Sequence, residues 1–238
     1  MPCSEPKTAA EAPGSPLRPG ADYLRLLLAD GRLPTGAHTQ SAGVEPALGH
    51  GMRLEQVPDY LRTRLRTVTQ VEAATAVVAR HLWLASDRAD RALVLGAVDD
   101  AWRARTVSDA LRDASDLLGR SYARMAGALW SLDLGPAPRC RAVVVGATAA
   151  AAGISSPDTA RMVGFDDVQT VIAAALKIQP FDPALGLRWA AAAGVEVEQL
   201  VVRVAELRSV EEIPASSAPL IEAWGQAHAT TQRRLYRA

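Results

Sequence analysis

Metal binding and proton transfer are the chemistries open to the four histidines, His38, His50, His81 and His228. No two lie at the i, i+3 or i, i+4 spacing that aims two imidazoles of one helix at a single ion, and there is no Cys-x-x-Cys. A metal site built from local sequence is therefore not expected. Such a site would have to be assembled from distant residues, or shared with a partner or a second copy. Nucleophilic chemistry has little support, because no Gly-x-Ser-x-Gly elbow is present. Cys140 lies between Arg139 and Arg141, whose charges could lower a thiol pKa, but a buried, inert thiol is the plainer reading. The acid pairs Asp99-Asp100 and Asp166-Asp167 are sequence neighbours, which diverge on a helix, so solvated faces are expected rather than a shared acid–base centre. No Gly-Lys-Ser/Thr loop offers a phosphate cradle. His38 and Glu45 could act as an acid and a base, although nothing in the sequence places a nucleophile or cofactor beside them.

Both residues belong to one unusual run, Leu33-Pro34-Thr35-Gly36-Ala37-His38-Thr39-Gln40-Ser41-Ala42-Gly43-Val44-Glu45. Proline fixes φ and glycine permits positive φ, so the run reads as a tightly defined turn carrying small polar groups. A short leucine-rich helix, Tyr23 to Ala29, precedes it. Apolar residues at Leu61, Leu65, Val68, Val71, Val78 and Leu82 recur in steps of three and four, predicting one helix from Glu55 to about Ala85 with Pro58 in its first turn. Asp87–Arg105 predicts a second helix with Leu93, Val94, Val98 and Trp102 inward. Ser108–Ser131 predicts a third, with Leu111, Ser115, Leu118, Tyr122, Met125 and Leu129 on one stripe. Gly135-Pro136-Ala137-Pro138 then breaks the chain. Arg139–Gly153, dominated by small residues, predicts a central helix that neighbours can approach closely. Ser156-Pro157-Asp158 signals the start of another, running to about Gln179. Asp182-Pro183 opens a helix expected to end at Gly194. Glu196–Leu207 forms the next, and Leu220–Tyr236 the last. No strand is expected. The fold class is all-α, a single-domain helical bundle of about eight to ten helices spanning 21–238. Met1 to Gly20, rich in Pro, Ala, Ser and Gly, reads as a disordered leader.

Composition narrows the function classes. The 26 basic and 26 acidic residues cancel, which argues against general affinity for nucleic acid or an anionic membrane. The longest apolar stretch, Ala142 to Ala152, is too short to span a bilayer. The first residues lack the apolar core of a signal peptide. With only Cys3 and Cys140, a disulfide is not expected and a reducing cytoplasm is. Lysine occurs only at Lys7 and Lys177, so Lys177 stands out in a chain whose positive charge is otherwise arginine.

The run 33–45 resembles the N-terminal motif of the urease accessory protein UreF family, Leu-Pro-x-Gly-aromatic-x-x-Ser-x-Gly-hydrophobic-Glu. Leu33, Pro34, Gly36, Ser41, Gly43, Val44 and Glu45 fit it, and His38 stands where the family more often carries Phe or Tyr. A second block, Ala174, Lys177, Ile178 and Pro180, resembles that family's Ala-x-x-Lys-hydrophobic-x-Pro. At the C-terminus, Pro219-Leu220-Ile221-Glu222 through His228 to Arg234-Leu235-Tyr236 resembles its closing motif, with Ala229 in place of the usual Glu and Tyr236 in place of Phe. Arg112-x-x-Ser115-x-x-x-Gly119-Arg120 is a looser match to a middle segment.

The resemblance implies a non-catalytic adaptor in nickel insertion, joining UreD (UreH in some bacteria) to the nickel-carrying GTPase UreG and delivering both to apo-urease. It implies partner contacts at Lys177, Pro180, His228, Arg233, Arg234, Leu235 and Tyr236. It implies no stably bound cofactor, with nickel as cargo in transit and His38 the residue to watch along its path. Family members often dimerise, and a two-fold homodimer is the commonest oligomer. For Lys177, a favourable interaction with the negative end of its helix is the competing reading, worth about 0.3–1 kcal/mol. Two functions of other classes stay open: a helical DNA-binding regulator, kept alive by Arg62, Arg64 and Arg66, and a small helical enzyme using His38 and Glu45.

Overall fold

The computed structural model describes residues 19–231 and 235–236. The leader expected over 1–20 lies outside the described residues except for its last two positions, and so do Arg233 and Arg234. Ten α-helices occur among the described residues: α1 Ala21–Leu28, α2 Val44–Gly49, α3 Val57–Arg66, α4 Val68–Ala85, α5 Arg91–Arg103, α6 Asp109–Ala126, α7 Arg141–Ala151, α8 Ser156–Ile178, α9 Pro183–Val204 and α10 Pro219–Ala229. No strand is found among them, so the fold is an all-α bundle. No described helix is long and apolar enough to cross a membrane.

The bundle is organised around α7, whose residues from Ala142 to Ala150 are all buried. Alanine, valine and glycine let α4 press directly on its backbone. A Cβ built on Gly146 would lie 2.3 Å from the Ala76 carbonyl oxygen. Gly119 serves the same purpose where α6 meets the segment entering α7, since its Cβ would sit 2.0 Å from the Arg139 carbonyl oxygen. Around this axis α4 also packs on α5 and α8, α8 runs beside α9, and α10 rests on α6 and α2. Trp102, Leu95, Leu61, Leu65 and Leu200 fill the spaces between.

Several boundaries differ from the sequence expectation. The helix predicted over 55–85 is two helices broken at Thr67 (φ −130°, ψ −97°). The Thr67 carbonyl accepts the Val71 N–H of α4 and a further hydrogen bond from Ser216 Oγ, and Asp167 of α8 bonds side chains on both sides of the break. Gly194 does not end a helix. α9 runs through it, because burial of Val197, Leu200, Val201 and Val204 outweighs the cost of about 1 kcal/mol for an interior glycine. α8 begins one residue earlier than predicted, with Ser155 as the cap accepting the Asp158 N–H. α5 turns Leu95 inward and leaves Leu93 exposed, since Leu95, Val98 and Trp102 form the continuous face. Leu129 lies beyond the end of α6 and is exposed. α10 stops at Ala229, and Leu235-Tyr236 folds back on the bundle instead of extending the helix.

The solvated-face reading of the acid pairs is also corrected. Asp99 is 3% exposed, accepting the Cys140 N–H at 2.7 Å and Arg103 Nε at 2.6 Å. Asp167 is buried against Arg64, and Asp166 pairs with Arg141 at 2.8 Å. Only Asp100 faces solvent.

Candidate functional site

The run 33–45 forms the turn that its glycines anticipate. Gly36 (φ +81°) and Gly43 (φ +76°) are left-handed, and Ala42 (φ +49°) joins them without being glycine. A short 3-10 turn, Ala37–Thr39, sits between, held by Thr39 Oγ1 donating to the Gly36 carbonyl at 2.8 Å. Tyr60 of α3 donates its hydroxyl to the Ala42 carbonyl at 2.7 Å. That hydroxyl would lie 2.7 Å from any Cβ at position 43, so Gly43 is required by contact as well as by φ. Burial of the phenol pushes the Tyr60 pKa up to about 12, which keeps it a donor. Leu33 packs against the core, whereas Pro34 is exposed. Ser41 and Gln40 are buried, and Ser41 Oγ and Gln40 Nε2 have no hydrogen-bond partner among the described residues.

The run ends on Glu45, in the first turn of α2, and this carboxylate gathers the C-terminus. Its two oxygens accept the N–H of Leu235 at 2.7 Å and of Tyr236 at 2.9 Å. His228 Nε2 lies 3.1 Å from Glu45 Oε2 and 3.2 Å from the Tyr236 carbonyl oxygen. His228 is 4% exposed and Tyr236 6%, whereas Leu235 is 61% exposed. The Tyr236 ring in turn lies under Lys177, whose Nζ is 5.0 Å from the ring centroid. Lys177 stands in the last turn of α8 with its side chain exposed, and Pro180 follows on the surface.

His38, Lys177 and Tyr236 line a common groove of about 660 Å³, together with Asp30, Gln40, Phe165 and Gln169. Asp30 is held well below the usual carboxylate range, at about 2, by its hydrogen bonds with Arg32. Beside the groove is a second cavity of about 120 Å³ whose lining includes Arg64, Glu72, Trp102, Arg141 and Asp167. Ala37, Gln40, Asp166 and Thr170 line both spaces. Burial raises the Glu72 carboxyl pKa against the opposing pull of Arg141 and the Trp102 indole, which donates to it at 2.8 Å. No group of three or more His, Cys, Asp or Glu side chains that could hold a metal ion is present among the described residues.

The structure thus brings together residues from all three motif blocks: His38 and Glu45, Lys177, and His228 with Leu235 and Tyr236. Glu45 does not line the groove that His38 lines, so the two do not face one pocket as an acid–base pair would. The arginines that suggested DNA contact are all in ion pairs, Arg64 in the interior and Arg62 and Arg66 at the surface. Arg64 is buried on Asp167, Arg66 pairs with Glu196 at 2.8 Å, and Arg62 pairs with Asp59 at 2.6 Å. Cys140 is buried, and burial raises its thiol pKa, the opposite of what flanking arginines would do to an exposed thiol. Sequence reasoning placed Glu45 in a motif without its partners, and missed Asp167 and Asp99. Arg103, four residues from Asp99, is the one partner within local reach; the others named here lie 41 to 191 residues away, beyond any local pattern.

Comparison with known proteins adds a name to this arrangement. A family model described as UreF matches residues 53–194. The urease accessory protein UreF of Mycobacterium marinum is 33% identical over 223 residues, covering 89% of this chain and 96% of that protein. UreF of Mycobacterium sp. strain JLS is 34% identical and that of Mycobacterium tuberculosis H37Rv 32%, each with the same coverage.

Proposed function

The chain belongs to the UreF family of urease accessory proteins, and we propose that it serves urease maturation as an adaptor for nickel insertion. In this reading it bridges UreD/UreH and the GTPase UreG, brings them to apo-urease in the cytoplasm, and couples GTP hydrolysis to metal delivery. It catalyses no reaction itself and works as a homodimer. Nickel is cargo rather than a resident cofactor, and His38, exposed at the groove, is the side chain that would meet it.

The observation that carries the reading is the meeting of three distant segments on one surface. Glu45, Lys177 and Tyr236 are joined by two backbone hydrogen bonds and a cation–ring contact beside an open groove. A surface assembled from the chain's N-terminal third, its middle and its end suits recognition of a folded partner. Arginine and aromatic groups are favoured at such interfaces. The burial of Arg64 on Asp167 counts against the DNA-binding alternative.

The test is a pull-down of the purified chain with the urease GTPase and UreD from the same cell. Wild type is compared with Lys177→Ala and with a chain ending before His228. A stable complex weakened by either change supports the adaptor. Folded protein that captures neither partner overturns it.

A further inference from the structure

Three breaches of local rules fall on three consecutive residues of the 33–45 run. Among the described residues, Gln40 Nε2 and Ser41 Oγ are the two buried side-chain polar atoms with no hydrogen-bond partner. Ala42 is the one non-glycine residue among them with positive φ. A buried polar atom without a partner costs its desolvation, and a left-handed alanine costs conformational energy. Such costs persist only where the surroundings impose them. Tyr60 of α3 imposes this one, donating its hydroxyl to the Ala42 carbonyl at 2.7 Å. Glycines stand at the two ends of the stretch. Gly36 (φ +81°) and Gly43 (φ +76°) are both left-handed, and glycine passes between positive and negative φ at little cost. The residues between them form a wall, since Ala37 and Gln40 line both the groove and the second cavity.

We propose that residues 37–42 are a sprung lid between the groove and the second cavity, hinged at Gly36 and Gly43 and latched by the hydrogen bond from Tyr60 to Ala42. Gln40, Ser41 and Ala42 are the spring. On release Ala42 returns to negative φ, the Gln40 amide and the Ser41 hydroxyl meet water, and the groove and the second cavity join. The latched state is the major one, because the Tyr60 bond and the packing of Leu33 and Val44 on the core oppose release. A small change at the latch therefore shifts the population, as in any two-state element with a modest gap. The lid needs no partner to open, so it stands or falls separately from the adaptor reading.

The test is amide hydrogen exchange in the free full-length chain, followed at Gln40 and Val44, whose N–H groups donate to the Ala37 and Ser41 carbonyls. In wild type both should exchange at least about tenfold faster than the amides of α7, since the lid opens without global unfolding. Tyr60→Phe removes the latch and keeps the ring. It should speed exchange at both positions by about tenfold and leave α7 unchanged. The spring is tested in the other direction. Ser41→Ala and Gln40→Met each remove a polar group that lacks a partner, and Ala42→Gly relieves the positive φ. Each should slow exchange at Val44 by about three- to fivefold. A hydroxyl or amide that merely held the turn together would give the opposite sign. These three variants decide the matter even if Tyr60→Phe folds poorly. The Trp102 indole N–H, which donates to Glu72 in the lining of the second cavity, reports whether the two spaces join. Its exchange should accelerate with the turn in Tyr60→Phe. Exchange at Gln40 and Val44 no faster than in α7, or faster exchange at Val44 in Ser41→Ala, overturns the spring. A Trp102 indole that does not respond while the turn opens overturns the lid.

Discussion

Arg64 and Asp167 form a buried, two-toothed ion pair: Arg64 Nη2 is 2.6 Å from Asp167 Oδ1 and Nε is 3.0 Å from Oδ2, with both side chains 10% exposed. Thr69 Oγ1 adds a third hydrogen bond at 2.8 Å, so one carboxylate ties α8 to both α3 and α4 at their break. Removing one member of such a pair leaves an uncompensated buried charge. Asp167→Ala should therefore destabilise the protein by about 3–5 kcal/mol, read as the shift in denaturant midpoint at constant slope. The double replacement Arg64→Met with Asp167→Leu should recover most of that loss. A single-variant cost below about 1 kcal/mol would mean that water reaches the pair.

Two glycines should respond in opposite directions to the same change. Gly146→Ala drives a methyl against the Ala76 carbonyl at the α4–α7 crossing, where neither backbone can yield easily. A loss of about 1–3 kcal/mol is expected from overpacking. Gly194, interior to α9, has nothing within 4 Å of its would-be Cβ. Gly194→Ala should stabilise the chain by about 0.5–1 kcal/mol, since it removes only the entropy cost of glycine in a helix. Thermal melts of the two variants beside wild type decide both.

These two sites also mark where the sequence was readable. Helix positions followed from apolar residues at steps of three and four, and from Pro58 and the Ser-Pro-Asp start of α8, because those signals act within a turn or two. The importance of α7 was visible in its run of small residues. Gly194 misled because its local penalty is small beside the burial of α9 against α8, a nonlocal quantity. Asp167 looked like a surface acid because its partner Arg64 is 103 residues away; Asp99 has Arg103 within one helical turn, but the Cys140 N–H that it accepts is 41 residues on. The motif blocks could be read one by one. Their meeting at Glu45, Lys177 and Tyr236 could not, since nothing in any block encodes contact with another.

Acid should loosen the junction of α1 with α8. Asp158 accepts from Arg25 at 2.7 Å and pairs with Arg161 and Ser155. Burial pulls its pKa up, but the Ser155 hydroxyl and the two guanidinium groups outweigh that and hold it below the ordinary 3.8. A carboxyl with a lowered folded-state pKa contributes stability that is fully present above its unfolded value and is lost as pH falls through the folded one. The contribution is thus complete above about pH 4 and disappears below it. Asp158→Asn should be less stable than wild type at pH 6 and converge with it toward pH 2–3, measured as denaturant midpoints across that range. A difference that stays constant with pH would assign the loss to packing or capping rather than to charge.

Lys177 separates a helix-end role from an interface role. Its ammonium lies at the negative end of α8 and 5.0 Å from the Tyr236 ring. The helix-end interaction is worth about 0.3–1 kcal/mol. The cation–ring contact adds about 0.5–1 kcal/mol at an exposed site. Lys177→Ala should therefore lower stability by no more than about 2 kcal/mol, and Lys177→Arg, which keeps charge and ring contact, should restore it. Tyr236→Phe keeps the ring face and should match wild type in stability to within about 0.5 kcal/mol. If the residue's main role is at an interface, Lys177→Ala reduces capture of the GTPase partner far more than this stability change explains, with the folded fraction unchanged at the assay temperature. If its main role is at the helix end, capture falls only as the folded fraction falls, and Lys177→Arg rescues both together.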